Sequence, residues 1–565
     1  MTTEPFGSTR RDIIKAAGSI ALGIPLGKIV KAPSNPTETY IDITTPPDIV
    51  RAFDGSNSEI PLTRTGPGLW EGSGFAIQLE SGAVSLIPGA ASKDNVSRIQ
   101  LRWHGDLHNV QRLLGDHWER SYGDLEWRGI VAGRTMPWYF LAFDGHRTHG
   151  YGVRTGPNSF CFWNADAQGI SLWLDIRSGG IPVQLKGRTL AAAEIVCRRG
   201  EPEESPFEST RALCALMCRS PRLPKQAIYG TNDWNYAYGN NSAELIAGVA
   251  GVISDLSTNN NNRPYSVIDE GWQIGTPNGQ FGEGPWEGNS RFGDMGQFAD
   301  RLKSLGVRPG LWFRPLSLVP ELPDSWKLTR DANYLDPTVP DVLNLVTQHI
   351  QRFVGWGYEL IKHDFSTWDI LGLWGFEMGP SPTADGWSFA DSTRTNAEVI
   401  KNLYRVIREA AGNTLLIGCN TVTHLSAGYH DIQRIGDDTS GKSWNRNRRM
   451  GVNTLGFRAA QNRSFYLVDP DIVAITRNIP WYLVEQWLQL VSQSSAALFV
   501  AIEPSIIEQK HRIALKMAFE LASRDQPLAE ALDWMGSDCP RSWKLRGETV
   551  TFNWMGDYGA WPFGD

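Results

Sequence analysis

Between about Thr39 and Gly200 the chain breaks into short strand-like runs, among them Trp138-Tyr139-Phe140-Leu141-Ala142-Phe143 and Ile170-Ser171-Leu172-Trp173-Leu174-Asp175-Ile176. Turn residues punctuate these runs about every ten positions, the rhythm of an antiparallel sandwich. Near Pro224 the rhythm changes. Eight short apolar runs follow: Ala227 to Gly230, Tyr265 to Asp269, Arg308 to Arg314, Tyr358 to Asp364, Leu415 to Cys419, Ile432 to Asp437, Phe465 to Asp469 and Ala496 to Ala501. Between them lie stretches with apolar residues three and four apart, such as Met295 to Leu305, Val339 to Val354 and Asn396 to Ala411, which is the helical period. Such alternation predicts right-handed βαβ units and a parallel sheet. The gap between the fifth and sixth runs is too short for an ordinary helix, which leaves one of the two open to another assignment.

After Pro504 the pattern gives one more helix, Gln509 to Arg524, and then a strand-like Thr549-Val550-Thr551-Phe552-Asn553-Trp554. The expected fold class is α/β: a (β/α)8 TIM barrel over 223–525, preceded by an all-β sandwich over 41–222 and followed by a short β appendage over 526–565.

Residues 1–40 stand apart from this pattern. Thr9-Arg10-Arg11-Asp12-Ile13-Ile14-Lys15 precedes a short apolar stretch from Ala16 to Leu26, too short and too glycine-rich to span a bilayer. The segment resembles a twin-arginine export signal. Export to the periplasm or the extracellular space is therefore expected, with the segment either cut or kept as an anchor.

With 565 residues the chain has room for two or three domains. A net charge of -7 leaves no electrostatic footprint for nucleic acid, and no basic run points to a membrane surface. Tryptophan and glycine are abundant, at 23 and 57 residues, against ordinary usage. Indoles suit the apolar faces of sugar rings, although most tryptophan is core. Six cysteines are sparse for this length; Cys214 and Cys218 lie one helical turn apart, but no second pair completes a zinc set. Gly150-Tyr151-Gly152 is followed by no helix that would offer its N-terminus to a phosphate. No cofactor is expected.

The chemistry gathers at the ends of the predicted parallel strands. The first ends in Thr231-Asn232-Asp233-Trp234-Asn235-Tyr236, the second in Asp269-Glu270-Gly271-Trp272 and the fourth in Lys362-His363-Asp364. Arg434-Ile435-Gly436-Asp437-Asp438-Thr439 closes the sixth and Asp469-Pro470-Asp471 the seventh. Side chains alternate along a strand, so Lys362 and Asp364 project to one side, the ammonium keeping the carboxylate ionised. Either the pair is a structural ion pair, or Asp364 is a nucleophile at the catalytic end of a barrel. Five polar strand ends on one face favour the second reading.

Carboxylates accept hydrogen bonds from vicinal hydroxyls, and indoles cover the apolar sugar face. Two carboxyl groups across a glycosidic bond can hydrolyse it, one as nucleophile and one as proton donor. The pair would be Asp364 with Asp437 or Asp438, with Lys362 and Arg434 holding negative charge on the first.

In their order along the chain these motifs resemble the clan of retaining α-galactosidases, glycoside hydrolase families 27 and 36, over residues 224–503. The preceding sandwich makes the chain more similar to family 36. The resemblance implies that Asp364, in the Lys-x-Asp at the fourth strand, is the nucleophile. It also implies that Asp437 is the acid/base, with Asp438 in reserve, and that Asp269, Glu270 and Trp272 bind sugar hydroxyls. Trp234, Trp312, Lys362, Arg434 and Asp471 complete the expected substrate-binding set.

The sequence also departs from the family pattern. Arg314, in Leu311-Trp312-Phe313-Arg314-Pro315, stands where family 36 has a glutamate, and Gly418-Cys419-Asn420-Thr421 lacks the fifth-strand loop that helps choose the sugar. A basic loop from Lys442 to Arg449 follows the acid/base segment. It is either a solvated face or a site for an acidic or sulfated saccharide. The expected function is thus an exported retaining α-glycosidase of oligo- or polysaccharides, with α-galactosides as the expected substrate. A transglycosylase and a catalytically silent carbohydrate-binding protein on the same scaffold are the alternatives.

Overall fold

The computed structural model describes residues 39–89, 95–275, 282–319, 321–556 and 559–561. The export-signal motif lies outside them. Residues 39–200 form two antiparallel sheets, one of six strands and one of eight. Alternation drives their association: in Phe75–Glu80 every second side chain is buried. Phe140 of the larger sheet meets Trp163 of the smaller at 5.8 Å between ring centroids, which places the core between them.

The second half is a nine-stranded sheet, parallel in every pairing. Seven strands run in chain order: Tyr229–Asn232, Tyr265–Ile268, Arg308–Phe313, Leu360–His363, Leu415–Gly418, Ile432–Arg434 and Leu467–Asp469. A further strand, Leu498–Ile502, pairs beside the first and carries Val473–Ile475 on its other edge. All eight predicted runs are strands, and the seventh continues after a break at Pro470–Ile472 as a separate piece. Ala497 N–H donates to Val468 C=O at 2.9 Å, so the chain before the last strand also touches the first piece of the seventh.

The fifth and sixth runs are both strands, paired directly through Ile417↔Ile432 and Gly418↔Gln433. Between them the crossover carries only a one-turn helix, Thr423–Ser426. A short connection here did not require a misassigned strand.

Helices flank the sheet where the period predicts them. Asn396–Ala411 opens on a capping box of Thr395 and Glu398 and buries Val399, Ile400, Leu403, Tyr404 and Ile407 on one face. Pro340 starts Pro340–Gly355, where a missing N–H is harmless. A separate apolar cluster of Tyr265, Val267, Leu360, Ile417, Ile432, Leu467 and Phe499 fills the inside of the curved sheet. Leu360 lies in it, so Lys362 and Asp364, two and four residues on, line the same inner side toward the strand's C-terminal end. The C-terminal appendage is a three-stranded sheet, Glu530–Ala531, Ser542–Leu545 and Glu548–Thr551.

Among the described residues no helix is long and apolar enough to cross a membrane. The six cysteines are all unpaired thiols.

Candidate active site

Asp364 immediately follows the fourth strand, and the next residue, Phe365, has φ of 64°. That left-handed turn is sparsely populated for a bulky side chain and costs about 1–3 kcal/mol. It folds the Phe365 N–H back onto Asp364 Oδ1 at 2.8 Å. Asn420 N–H, from the fifth strand's exit, donates to the same oxygen at 3.0 Å, and Trp312 Nε1 donates to Oδ2 at 3.0 Å. Burial raises the Asp364 pKa, but the charges of Lys362 and Arg120 and the Trp312 hydrogen bond outweigh it. The carboxyl sits below its ordinary value.

The expected contact between Lys362 and Asp364 is replaced by another. Lys362 Nζ lies 2.6 Å from Asp269 Oδ2, an oxygen that also accepts from Asn232 Nδ2 at 2.7 Å. The second strand ends level with Lys362 on the far side of the third strand, and Asp269 reaches across to the ammonium. Lys362 therefore acts on Asp364 as a nearby charge.

Arg434 likewise pairs elsewhere than with Asp364. Its guanidinium bridges Asp471 at 2.9 Å and Asp438 at 3.0 Å. Asp471 is further committed to Thr439, accepting from its N–H at 2.6 Å and its hydroxyl at 2.8 Å. With both oxygens occupied and the side chain buried, Asp471 braces the loop after the sixth strand.

Asp437 and Asp438 differ sharply. Asp437 is gripped from two sides, by Arg120 at 2.9 Å on Oδ1 and by Arg446 at 2.7 Å on Oδ2. Asp438 is the more open, with 38% of its side chain exposed against 16%, and its charge is felt by Asp364. Burial raises its pKa, while Arg434, Arg120 and Lys362 together drive it well below the usual carboxylate range.

Sequence reasoning missed two residues from the sandwich. The segment 116–122 enters the site beside the sixth strand's exit: Ser121 N–H donates to Ile435 C=O at 2.9 Å and Asp437 N–H to Ser121 C=O at 2.8 Å. It delivers Arg120 to both Asp437 and Asp438, the latter at 3.6 Å. It also delivers Glu119, which accepts from Asn420 Nδ2 and from Gly375 N–H at 2.8 Å, and so braces the residue that holds Asp364. They lie in a polar loop, Gly115 to Asp124, with no strand or helix period to place them.

The aromatic expectations divide. Trp272 is fully buried among Trp286, Phe353 and Trp356 and donates to Trp312 C=O at 3.0 Å. It is a core residue and cannot stack on a sugar. Trp312 is also buried, and meets the site through its N–H on Asp364. Trp234 remains half-buried beside Tyr238, ring centroids 5.6 Å apart.

Glu270 follows Asp269 on the second strand and has its pKa raised to about 7, by burial first and then by Asp269 and Asp364. Arg314 forms a buried pair with Asp369 at 2.7 Å and lies over the Phe365 ring at 4.3 Å. The basic loop splits in the structure. Arg446 turns to Asp437, the Lys442 ammonium sits 4.2 Å over the Tyr238 ring, and buried Arg448 neighbours Cys539 of the appendage. Among the described residues no group of His, Cys, Asp or Glu is arranged to hold a metal ion.

No family model and no curated protein matches the sequence. Solved structures do share the fold. TtGalA, an α-galactosidase from Thermus thermophilus in complex with p-nitrophenyl α-D-galactopyranoside, matches at 17% identity and TM-score 0.57, over 89% of this chain and 98% of that one. The same enzyme in complex with stachyose matches at 16% identity and TM-score 0.54, over 83% and 98%. AgaA, a family 36 α-galactosidase from Geobacillus stearothermophilus, matches at 12% identity and TM-score 0.54, over 84% and 75%. The chain thus has the fold of family 36 α-galactosidases.

Proposed function

We propose that the protein is a retaining α-glycosidase of the α-galactosidase type, with Asp364 as nucleophile and Asp438 as acid/base. The observation that carries this reading is the setting of Asp364: a carboxyl aimed by three N–H donors and held at the C-terminal end of a parallel strand. Asp438 takes the acid/base role in preference to Asp437 because it is the more accessible carboxyl and the one electrostatically joined to Asp364. The shared fold with α-galactosidases, and their complexes with galactosides, lends support.

In the first step Asp364 attacks the anomeric carbon, the glycosidic C–O bond breaks, and the leaving oxygen takes the proton of Asp438. In the second, Asp438 removes a proton from water, which attacks the same carbon and frees Asp364. Trp234 covers a sugar face, and Asp269 and Glu270 accept from hydroxyls. The proposal includes a closed (β/α)8 barrel whose seventh strand is broken in two, the domain limits read from the sequence, and export through the N-terminal segment.

The test is hydrolysis of a panel of aryl α-glycosides by wild type and Asp364→Ala. Activity on p-nitrophenyl α-D-galactopyranoside that falls at least ~10³-fold in the variant is expected. Cleavage that survives the substitution removes Asp364 as nucleophile, and a wild type inert on every α-glycoside removes the activity.

A further inference from the structure

Two guanidiniums from different parts of the chain converge on one small carboxylate. Arg120 comes from the sandwich and Arg446 from the loop after the sixth strand, and each takes a different oxygen of Asp437. A sugar hydroxyl donates one hydrogen bond and accepts two, whereas a carboxylate or sulfate only accepts and matches paired guanidiniums in charge as well. On this wall both oxygens of Asp437 and Oδ1 of Asp438 are already occupied by arginine, which leaves guanidiniums as the wall's dominant groups. Arg120 Nε is buried without an acceptor, and 30% of the Arg446 side chain is exposed. Farther out, Lys442 is exposed over Tyr238, which adjoins Trp234. No carboxylate among the described residues lies within ion-pair distance of that ammonium.

We infer that the sugar this site accepts is anionic: an α-glycoside whose glycosyl unit carries a carboxylate or a sulfate, which takes Arg120 and Arg446 in place of Asp437. Planar guanidiniums on two sides of a carboxylate form the recognition geometry for such groups, and Asp437 holds their place while the site is empty. The inference rests on the glycosidase reading and adds a consequence to it. In the empty site Arg120 helps keep Asp438 ionised, a form that cannot protonate a leaving group. An anion that engages Arg120 weakens that hold, so the substrate able to arm the acid/base is the one with the charge.

The experiment compares p-nitrophenyl α-D-galactopyranoside, its 6-carboxylate analogue (the galacturonide) and its 6-sulfate, with wild type, Arg446→Met and Arg446→Lys. Thermal unfolding is followed in parallel with free D-galactose, D-galacturonate and D-galactose 6-sulfate. Expected are a kcat/KM at least ~10-fold higher for one anionic glycoside than for the neutral one, a ratio that collapses at least ~10-fold in Arg446→Met and partly returns in Arg446→Lys. Which anion is preferred separates carboxylate from sulfate recognition. A neutral substrate preferred by wild type, or a ratio unchanged by Arg446→Met, overturns the inference while leaving the glycosidase reading intact. If no glycoside is cleaved, the glycosidase reading fails. Stabilisation by an anionic sugar alone, lost in Arg446→Met, would then still support the anion site, and equal or absent stabilisation by all three sugars would remove it.

Discussion

Lys362 Nζ lies 2.6 Å from Asp269 Oδ2, across the sheet, although Asp364 follows it by two residues on its own chain. Both partners are buried, and burial alone would lower the lysine pKa; the Asp269 charge reverses this and raises it. Removing one member of such a pair strands the other in a poorly solvated place, at a cost of about 3–5 kcal/mol. Lys362→Met should therefore lower the unfolding free energy by that amount, read as a lower urea midpoint at unchanged m, and adding Asp269→Asn should restore part of it. Equal stability of Lys362→Met and wild type would mean the pair contributes nothing net.

Asp437 and Asp438 are neighbours in sequence with unlike surroundings, and a leaving-group series separates them. A general acid contributes about 10²–10⁴-fold, and most where the departing oxygen is a poor leaving group. Asp438→Asn should lose activity in that range on a disaccharide and far less on p-nitrophenyl glycosides. Asp437→Asn should show no such dependence on the leaving group. The reverse pattern would return the acid/base role to Asp437.

Glu270 is held protonated to about pH 7, chiefly by burial and then by Asp269 and Asp364; a hydrogen bond from the Gly282 backbone works the other way. In an unfolded chain a glutamate loses its proton near 4.3. Between these values the folded state binds the extra proton, so stability falls as pH rises, by about 1.4 kcal/mol per pH unit from this group. The stability of Glu270→Gln relative to wild type should thus grow by that slope from pH 5 to 7 and level off above it. A pH-independent difference measured by urea unfolding would show that Glu270 ionises normally.

The parallel strands were legible because each is a short apolar run between helical periods, and even the disputed fifth and sixth runs pair with each other. The positions of Asp364, Asp269 and Asp438 at strand ends followed from that register. Their partners did not. Whether Lys362 meets Asp364 or Asp269 depends on how the sheet brings the second and fourth strands together across the third, which one-dimensional spacing does not contain. Trp272 follows an acidic pair as a sugar-binding residue would, but its ring turns away into the helical layer against Phe353. Glu119 and Arg120 were out of reach because they belong to the sandwich and reach Asn420 and Asp437 only through tertiary packing.

On the outer side of the fourth strand, directly behind Asp364, His363 Nδ1 lies 3.1 Å from His430 Nε2, both rings fully buried. The shared contact needs one donor and one acceptor, so the accepting ring is neutral. Burial lowers the His363 pKa to about 3 and drives that of His430 well below its ordinary value. Here the sign is opposite to that of Glu270. As pH falls below about 6.5 the unfolded chain takes up protons that the folded one refuses, and stability is lost on the acid side at about 1.4 kcal/mol per pH unit per histidine. Replacing His430 by Asn, which can still hydrogen-bond to His363, should remove one histidine's share of that slope between pH 6.5 and 4.5 while leaving the alkaline side unchanged. Urea unfolding at intervals of one pH unit reads both limbs, and identical acid slopes in the two proteins would show that His430 protonates freely in the folded state.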